Sequence, residues 1–139
     1  MKRTIDKESD HHSSELNHKL YKAGCDFFEK KEFKKAGKAF SEALEYWPQD
    51  TQAWFALGNC YDELNKPAKA EKAFKKALQL CAQNKQSDIL YNLGNSLLDQ
   101  AKFEEAIEYY KKVSAQSSAY RAAQINMERA INGNPNKNS

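Results

Sequence analysis

The sequence predicts an all-α fold built as a stack of antiparallel helix pairs, and three observations support this prediction. A pattern of glycine, alanine and aromatic residues recurs along the chain with steps of 34 and 36 residues. Within each unit the apolar residues are three or four positions apart, as on one face of an α-helix. The 139 residues include only 5 glycines and 3 prolines, too few for the many turns of an all-β fold.

The repeat rests on four series of residues that share the same two steps. They are Gly24, Gly58 and Gly94; Ala36, Ala70 and Ala106; Phe40, Phe74 and Tyr110; and Ala43, Ala77 and Val113. Four independent series with one offset are hard to obtain by chance. The period is therefore 34 residues, with two additional residues near Lys85 and Gln86.

The second unit, residues 51–84, indicates how each unit folds. Its two apolar stripes are Trp54, Leu57, Gly58 and Tyr61, then Ala70, Phe74 and Ala77. Between them Pro67 suits the first position of a helix, where its missing N–H would have no intrahelical partner. We therefore predict two antiparallel helices joined by a tight turn. The inner glycine lets the partner helix approach closely, which offsets its propensity cost of about 1 kcal/mol.

These residues resemble the tetratricopeptide repeat, whose pattern is W-x2-L-G-x2-Y, then A-x3-F-x2-A and a closing proline. The second unit matches seven of these eight positions, with Ala82 in place of the proline. The first unit, residues 17–50, keeps Gly24, Ala36, Phe40, Ala43 and Pro48, and the third unit, residues 87–120, keeps Leu93, Gly94 and Ala106. The resemblance implies a right-handed superhelical stack of six helices plus a capping helix.

The predicted helices are 17–30, 33–46, 51–64, 67–80, 87–100, 103–116 and 119–131. We expect residues 121–132 to form the capping helix that repeat arrays need for solubility, with Ala123, Met127 and Ile131 facing inward. Residues 1–14 and the tail 133–139 are expected to be disordered, because both are polar and lack core residues.

Enzyme motifs are absent, since the chain has no GxxxxGK[ST], GxGxxG, GxSxG or HExxH sequence. We predict a protein without catalytic activity or cofactor. No metal site is predicted from His11, His12 and His18, which lack a fixed fourth ligand. The three cysteines, at positions 25, 60 and 81, indicate free thiols in a reducing compartment, which we take to be the cytoplasm. No run of residues reaches the ~18 apolar residues of a membrane span.

The resemblance implies that the first helix of each unit lines a concave groove. Position 5 of the successive units gives an apolar ladder of Tyr21, Phe55, Tyr91 and Ile125, which we expect not to be needed for the core between helices. Asparagine amides match the donor and acceptor of a peptide bond. The candidate peptide-binding residues are Tyr21, Lys22, Phe28, Phe55, Asn59, Tyr91, Asn92, Asn95, Ile125, Asn126 and Arg129. Alternatively, the ladder packs against a neighbouring first helix and the asparagines are only solvated.

Some tetratricopeptide domains hold the acidic C-termini of heat-shock chaperones in a carboxylate clamp of lysine, arginine and asparagine. The corresponding positions here are Tyr21, Cys25, Ala56, Asp88 and Asn92, and none of them is cationic. We therefore expect no clamp of this kind. Carboxylates outnumber cations along the groove, which favours a neutral to mildly basic peptide segment.

These features predict a protein-interaction module, such as an adaptor, a scaffold subunit or a chaperone-like binder, that is monomeric or weakly self-associating. Two alternatives remain open. The chain assembles with copies of itself, or a lysine-rich outer face binds nucleic acid or another anionic surface. Interspersed glutamates indicate that this face is simply solvated, so we do not expect nucleic acid as a partner. Its lysines are Lys30, Lys31, Lys34, Lys35, Lys38, Lys66, Lys69, Lys72, Lys75 and Lys76.

Overall fold

A computed structural model describes the backbone of residues 7–82 and 86–136 and the side chains of residues 11–82 and 86–136. Within these ranges the chain forms seven α-helices, and consecutive helices pack against each other. The helices are α1 (Lys7–Glu29), α2 (Phe33–Tyr46), α3 (Thr51–Glu63), α4 (Pro67–Leu80), α5 (Ser87–Asp99), α6 (Phe103–Lys111) and α7 (Tyr120–Gly133).

The helices form two rows, as the predicted stack of helix pairs requires. The first helices α1, α3 and α5 pair with the second helices α2, α4 and α6, and α7 packs on α6. In addition, α3 contacts α5 and α5 contacts α7, so the first helices lie side by side. None of the described helices is long and apolar enough to cross a membrane.

Each helix pair is closed by the same contact, a glycine of the first helix against an aromatic ring of the second. A Cβ atom at Gly58 would lie 2.4 Å from the Phe74 ring, and one at Gly94 would lie 2.5 Å from the Tyr110 ring. At Gly24 the corresponding distance, to the Phe40 ring, is 2.6 Å. The three rings are completely or almost completely buried. No residue other than glycine allows the two backbones to approach this closely.

The turn inside each pair is also repeated. Lys31, Asn65 and Ala101 adopt left-handed backbone conformations, with φ values of 61°, 57° and 58°. The next N–H bonds back into the preceding helix, from Lys66 to the carbonyl of Tyr61 and likewise in the other two turns. This pattern closes a helix without glycine at a modest conformational cost, and it confirms the predicted tight turn.

The two ends of the array differ from the expectation of disorder. Helix α1 begins at Lys7, so the expectation that residues 1–14 are disordered is wrong for residues 7–14, while residues 1–6 lie outside the described residues. No proline or glycine interrupts this stretch, and His11 and Glu15 pair one turn apart at 3.2 Å. The predicted disordered tail is wrong at Gly133, the last residue of α7, and its residues 137–139 are not described.

Helix α6 ends at Lys111 instead of residue 116, because the next segment is rich in serine. The Ser114 hydroxyl accepts from the backbone N–H of Gln116, and that of Ser117 accepts from Ala119. Such local bonds compete with the helical ones. The connection between α6 and α7 therefore spans residues 112–119, against 47–50 between α2 and α3.

The capping helix exists, but one of its inward positions was predicted wrongly. Ala123 is buried as predicted and Met127 packs on the core, whereas Ile131 is 40% exposed and Ala130 is buried instead. In the repeat units the residues equivalent to Ile131, such as Leu97, face the second helix of their own unit. No second helix follows α7 among the described residues, so Ile131 lacks that cover.

A buried carboxylate ties α4 to the turn between α5 and α6. Glu71 accepts hydrogen bonds from Lys75 at 2.7 Å, from Gln100 at 3.0 Å and from Lys102 at 3.1 Å. Burial alone would raise the pKa of Glu71, but these three bonds outweigh it and lower the pKa from 4.5 to about 2. The carboxylate is thus a fixed, charged link between the second and third units.

Replacing the glycine under a ring tests the repeated contact. We expect Gly58→Ala to lower the free energy of unfolding by about 2 kcal/mol, because the Phe74 ring is buried and cannot yield. Gly37→Ala is the control, since its Cβ would meet only ordinary contacts, 3.7 Å or longer. It should raise stability by about 0.5 to 1 kcal/mol. Urea unfolding of both variants measures the difference, and equal effects would contradict this account.

Glu71 predicts a specific acid sensitivity. Its folded pKa lies below its unfolded value, so its stabilisation is complete above pH 4.5 and is lost as the pH falls from 4.5 to about 2. We expect Glu71→Gln to cost about 1 to 2 kcal/mol at pH 7, since the two lysine partners are partly solvated. The difference from wild type should vanish near pH 2. Glu108→Gln, at an exposed ion pair, is the control and should change stability little at any pH.

Candidate functional site

The apolar ladder is partly used by the core. The rings of Tyr21, Phe55 and Tyr91 are half-buried, and their centroids lie 5.5, 5.7 and 6.3 Å from the rings of Phe40, Phe74 and Tyr110. The expectation that the ladder is not needed for the core between helices is therefore wrong for these three residues. Each of them covers the buried ring of its own unit.

Ile125, the fourth residue of the ladder, differs because α7 is followed by no second helix in the described part of the chain. Its side chain is 46% exposed, the largest exposure of the large apolar residues described. It lies on the helix that also carries the candidate residues Asn126 and Arg129. The apolar part of the candidate groove that is open to a partner thus lies mainly on α7.

The four candidate asparagines form two hydrogen-bonded pairs, each of which joins two neighbouring helices. Asn92 of α5 donates to Oδ1 of Asn59 of α3 at 2.9 Å, and Asn126 of α7 donates to Oδ1 of Asn95 of α5 at 2.9 Å. The buried Tyr110 hydroxyl also donates to Asn95 Oδ1, at 2.6 Å. These bonds hold α3, α5 and α7 together along the face on which the peptide was predicted to bind.

Several amide atoms remain available after these bonds are made. Asn126 is fully engaged, since it also donates weakly to the Tyr91 hydroxyl at 3.5 Å and accepts from Arg129 at 3.1 Å. The side-chain NH2 groups of Asn59 and Asn95 and the side-chain oxygen Oδ1 of Asn92 have no partner within the described residues. A backbone amide needs one donor and one acceptor, and these three groups supply both.

The candidate groove residues Lys22 and Phe28 differ in how far they are exposed to solvent. Lys22 is exposed on α1, whereas Phe28 is half-buried and packs edge-on against Phe33, with ring centroids 5.1 Å apart. Phe28 therefore packs the end of α1 against the start of α2.

The C-terminal ends of the first helices carry carboxylates. Asp62 of α3 accepts a hydrogen bond from the Ser96 hydroxyl at 3.1 Å. Burial, together with the nearby charges of Asp99 and Glu63, raises the pKa of Asp62 from 3.8 to about 6, although the Ser96 bond opposes the shift. Burial also raises the pKa of Asp99. This end of the groove is thus acidic and incompletely solvated.

Open space lies at the opposite, N-terminal ends of the first helices. A cavity of about 680 Å³ lies between the starts of α3 and α5 and the connections after α4 and α6. A second, of about 400 Å³, lies between α1 and the start of α3. Both are lined by Thr51 and Gln52, so they adjoin. This edge was not predicted from the sequence, although the serine-rich segment after α6 was an available signal.

The three cysteines are free thiols. Cys60 is buried, and desolvation raises its pKa to about 12, so it is a thiol rather than a reactive thiolate at neutral pH. Across the described side chains, no group of three or more His, Cys, Asp or Glu residues is arranged to hold a metal ion.

The outer lysine face is largely unpaired. Among the described residues, only Lys75 of these ten lysines forms an ion pair, with Glu71. Lys35 and Lys69 lie over the rings of Phe27 and Tyr61 at 5.9 and 5.8 Å. These two equivalent contacts show that part of the lysine pattern covers aromatic rings on the first helices.

The chain matches two sequence models of the tetratricopeptide repeat, over residues 21–85 and 87–115. Together the two matches cover more than half of its length. The chain belongs to the tetratricopeptide repeat family. The matched residues include the glycine–ring contacts of all three units. No curated protein matches the chain.

Solved structures of low sequence identity have the same fold, and several of them are tetratricopeptide domains. The first such domain of Spaghetti (RPAP3), bound to the HSP90 peptide SRMEEVD, is 18% identical, with a TM-score of 0.77 over 86% of this chain and 93% of that chain. The TPR2B domain of yeast Sti1, in a pHsp70 complex, is 15% identical, with a TM-score of 0.78 over 86% and 98%. The Yersinia enterocolitica type III secretion chaperone SycD, with a YopD peptide, is 14% identical, with a TM-score of 0.73 over 91% and 97%.

The acidic end of the groove yields a stability prediction. The folded pKa of Asp62 lies above its unfolded value, so wild type loses stability as the pH rises from about 4 to above 6. Asp62→Asn removes this charge and keeps an acceptor for Ser96. We expect it to raise the free energy of unfolding by about 1 kcal/mol at pH 7.5 and to have no effect below pH 4. Chemical unfolding at both pH values is the measurement, with the exposed carboxylate variant Asp26→Asn as the control. A loss of stability at pH 7.5 would contradict the assignment.

Proposed function

We propose that this protein is a non-catalytic interaction module that binds a peptide segment of a partner protein across the first-helix face, as an adaptor, scaffold subunit or chaperone-like binder. The observation that carries the proposal is the face formed by α3, α5 and α7, where Ile125 is exposed and the side chains of Asn59, Asn92 and Asn95 each keep a polar atom without a partner within the described residues. An apolar anchor on the same face as donors and acceptors suits an extended peptide. The free thiols fit a cytoplasmic location.

The charge of the groove argues for a neutral to mildly basic segment. Spaghetti binds an acidic peptide, but the positions of the family's carboxylate clamp carry no cation here, and Asp88 stands at one of them. Asp62 and Asp99 make the other end of the groove acidic. An acidic chaperone tail would meet like charges on this face, whereas a lysine or arginine would be attracted.

Self-assembly by continuing the helical stack is disfavoured by one residue of α7. Glu128 occupies the position that Gly24, Gly58 and Gly94 hold in the three units. A second helix from another copy could not bring an aromatic ring against this position as closely as Phe74 approaches Gly58. Helix α7 therefore ends the stack, and we propose a monomer or a weak dimer.

Charge introduced at the exposed anchor tests the proposed groove. We expect Ile125→Asp to abolish capture of partner proteins from a lysate of the source cells, because a carboxylate would be desolvated against an apolar segment. Ile131→Asp is a matched control, since it makes the same change on the same helix at a side chain of similar exposure, 40% against 46%. Quantitative mass spectrometry compares both variants with wild type.

Proteins retained by wild type and Ile131→Asp but lost by Ile125→Asp would identify the partner and support the groove. Identical captures by all three proteins would reject it and move the site to another face. A partner captured through an acidic C-terminal tail would contradict the proposed charge preference.

A further inference from the structure

Two connections differ from those of the regular units, and described residues of both line one cavity. The connection from α4 to α5 covers residues 81–86, two residues longer than the connection at 47–50, and α6 ends early at Lys111. Cys81 and Ala82 of the first connection and Ser114 to Ser118 of the second line the cavity of about 680 Å³. The starts of α3 and α5 form its remaining walls.

The cavity has an apolar floor and a polar rim. Phe55 and Ile89 supply apolar surface, and Phe55 is also the second residue of the ladder, so the cavity opens into the proposed groove. The other lining side chains are mainly hydroxyls and amides, which are Thr51, Gln52, Ser87, Ser114, Gln116, Ser117 and Ser118. Small serines in the connection after α6 leave the space unfilled.

Charge decides what kind of group fits this cavity. Asp88, in the first turn of α5, is the one charged side chain among the described lining residues. The described lining contains no lysine, arginine or histidine, so an anion would be opposed. A purely apolar group would leave the carboxylate of Asp88 without compensation on desolvation. A long cationic side chain suits both the apolar floor and the polar rim. Its methylene stem would lie on Phe55 and Ile89, and its head group would lie at Asp88 and the hydroxyls.

We propose that this cavity is a specificity pocket for an arginine or lysine side chain of the partner segment. The inference rests on the proposed function, since the cavity adjoins the groove at Phe55. The pocket adds one requirement to those of the groove, namely that the bound segment carries a basic residue where it passes the start of α5.

A small probe tests the pocket without knowledge of the partner. N-acetyl-arginine methylamide is titrated into the isotope-labelled full chain and followed by amide shifts in NMR spectra, with N-acetyl-norleucine methylamide as the uncharged equivalent. We expect saturable shifts at residues such as Ser87, Asp88 and Gln116 for the arginine probe, at millimolar affinity, and about tenfold weaker binding in Asp88→Asn, the loss expected of one charged contact.

Asp26→Asn is the matched control, because it makes the same change at an exposed carboxylate of α1 that does not line the cavity. It should leave the affinity of the arginine probe unchanged. Equal binding of the norleucine probe, an unchanged affinity in Asp88→Asn, or the absence of saturable shifts at these residues would each overturn the proposal. Ile125 does not line the cavity. The NMR titration therefore tests the pocket and the capture experiment tests the groove, and either proposal can be rejected without the other.

Discussion

The contact of a glycine with an aromatic ring determines most of this structure. At Gly24, Gly58 and Gly94 the ring of the second helix occupies the space that a side chain would fill. This fixes how closely the two helices of a unit approach, and the same left-handed turn recurs in each unit. The fourth position of the series is Glu128 of α7, so a second helix could not approach α7 as closely as Phe74 approaches Gly58.

Because the helices approach so closely, the core and the proposed binding surface share residues. Tyr21, Phe55 and Tyr91 cover the buried rings, and the asparagines hydrogen-bond across the first helices. A partner on this surface would therefore meet side chains that are already fixed by packing. Because these side chains lose little conformational freedom on binding, the entropic cost is small and a few contacts can give useful affinity. Truncating Tyr91 would therefore disturb folding as well as binding. A substitution of the exposed Ile125 would change binding with little effect on stability.

The regular parts of the array were predictable from sequence because one period governs them. The bounds of α2 and α4 agree with the structure, since glycine, alanine and aromatic positions repeat without interruption there. The early end of α6 was not predictable, because the local hydrogen bonds of the serine-rich segment leave no periodic signal. The start of α1 was not predictable either, because a polar continuation of a helix leaves no such signal. The asparagines were recognised as a set, but their bonds to each other depend on distances between helices that spacing alone does not give.

The two ends of the first helices have opposite characters, and this sets the direction of the proposed site. Asp62 and Asp99 lie at the C-terminal ends, where the partial negative charge of the helix terminus adds to the carboxylates. The open space and its hydroxyls lie at the N-terminal ends. In the proposed site, a segment crossing from one end to the other would pass from an acidic rim, over the amides of Asn59 and Asn92, to a cavity whose described lining holds one carboxylate, Asp88. A basic residue is favoured at both ends, and an uncharged stretch suits the amides between them. This order of chemistry, rather than the fold shared with other tetratricopeptide domains, is what would distinguish the partner of this chain.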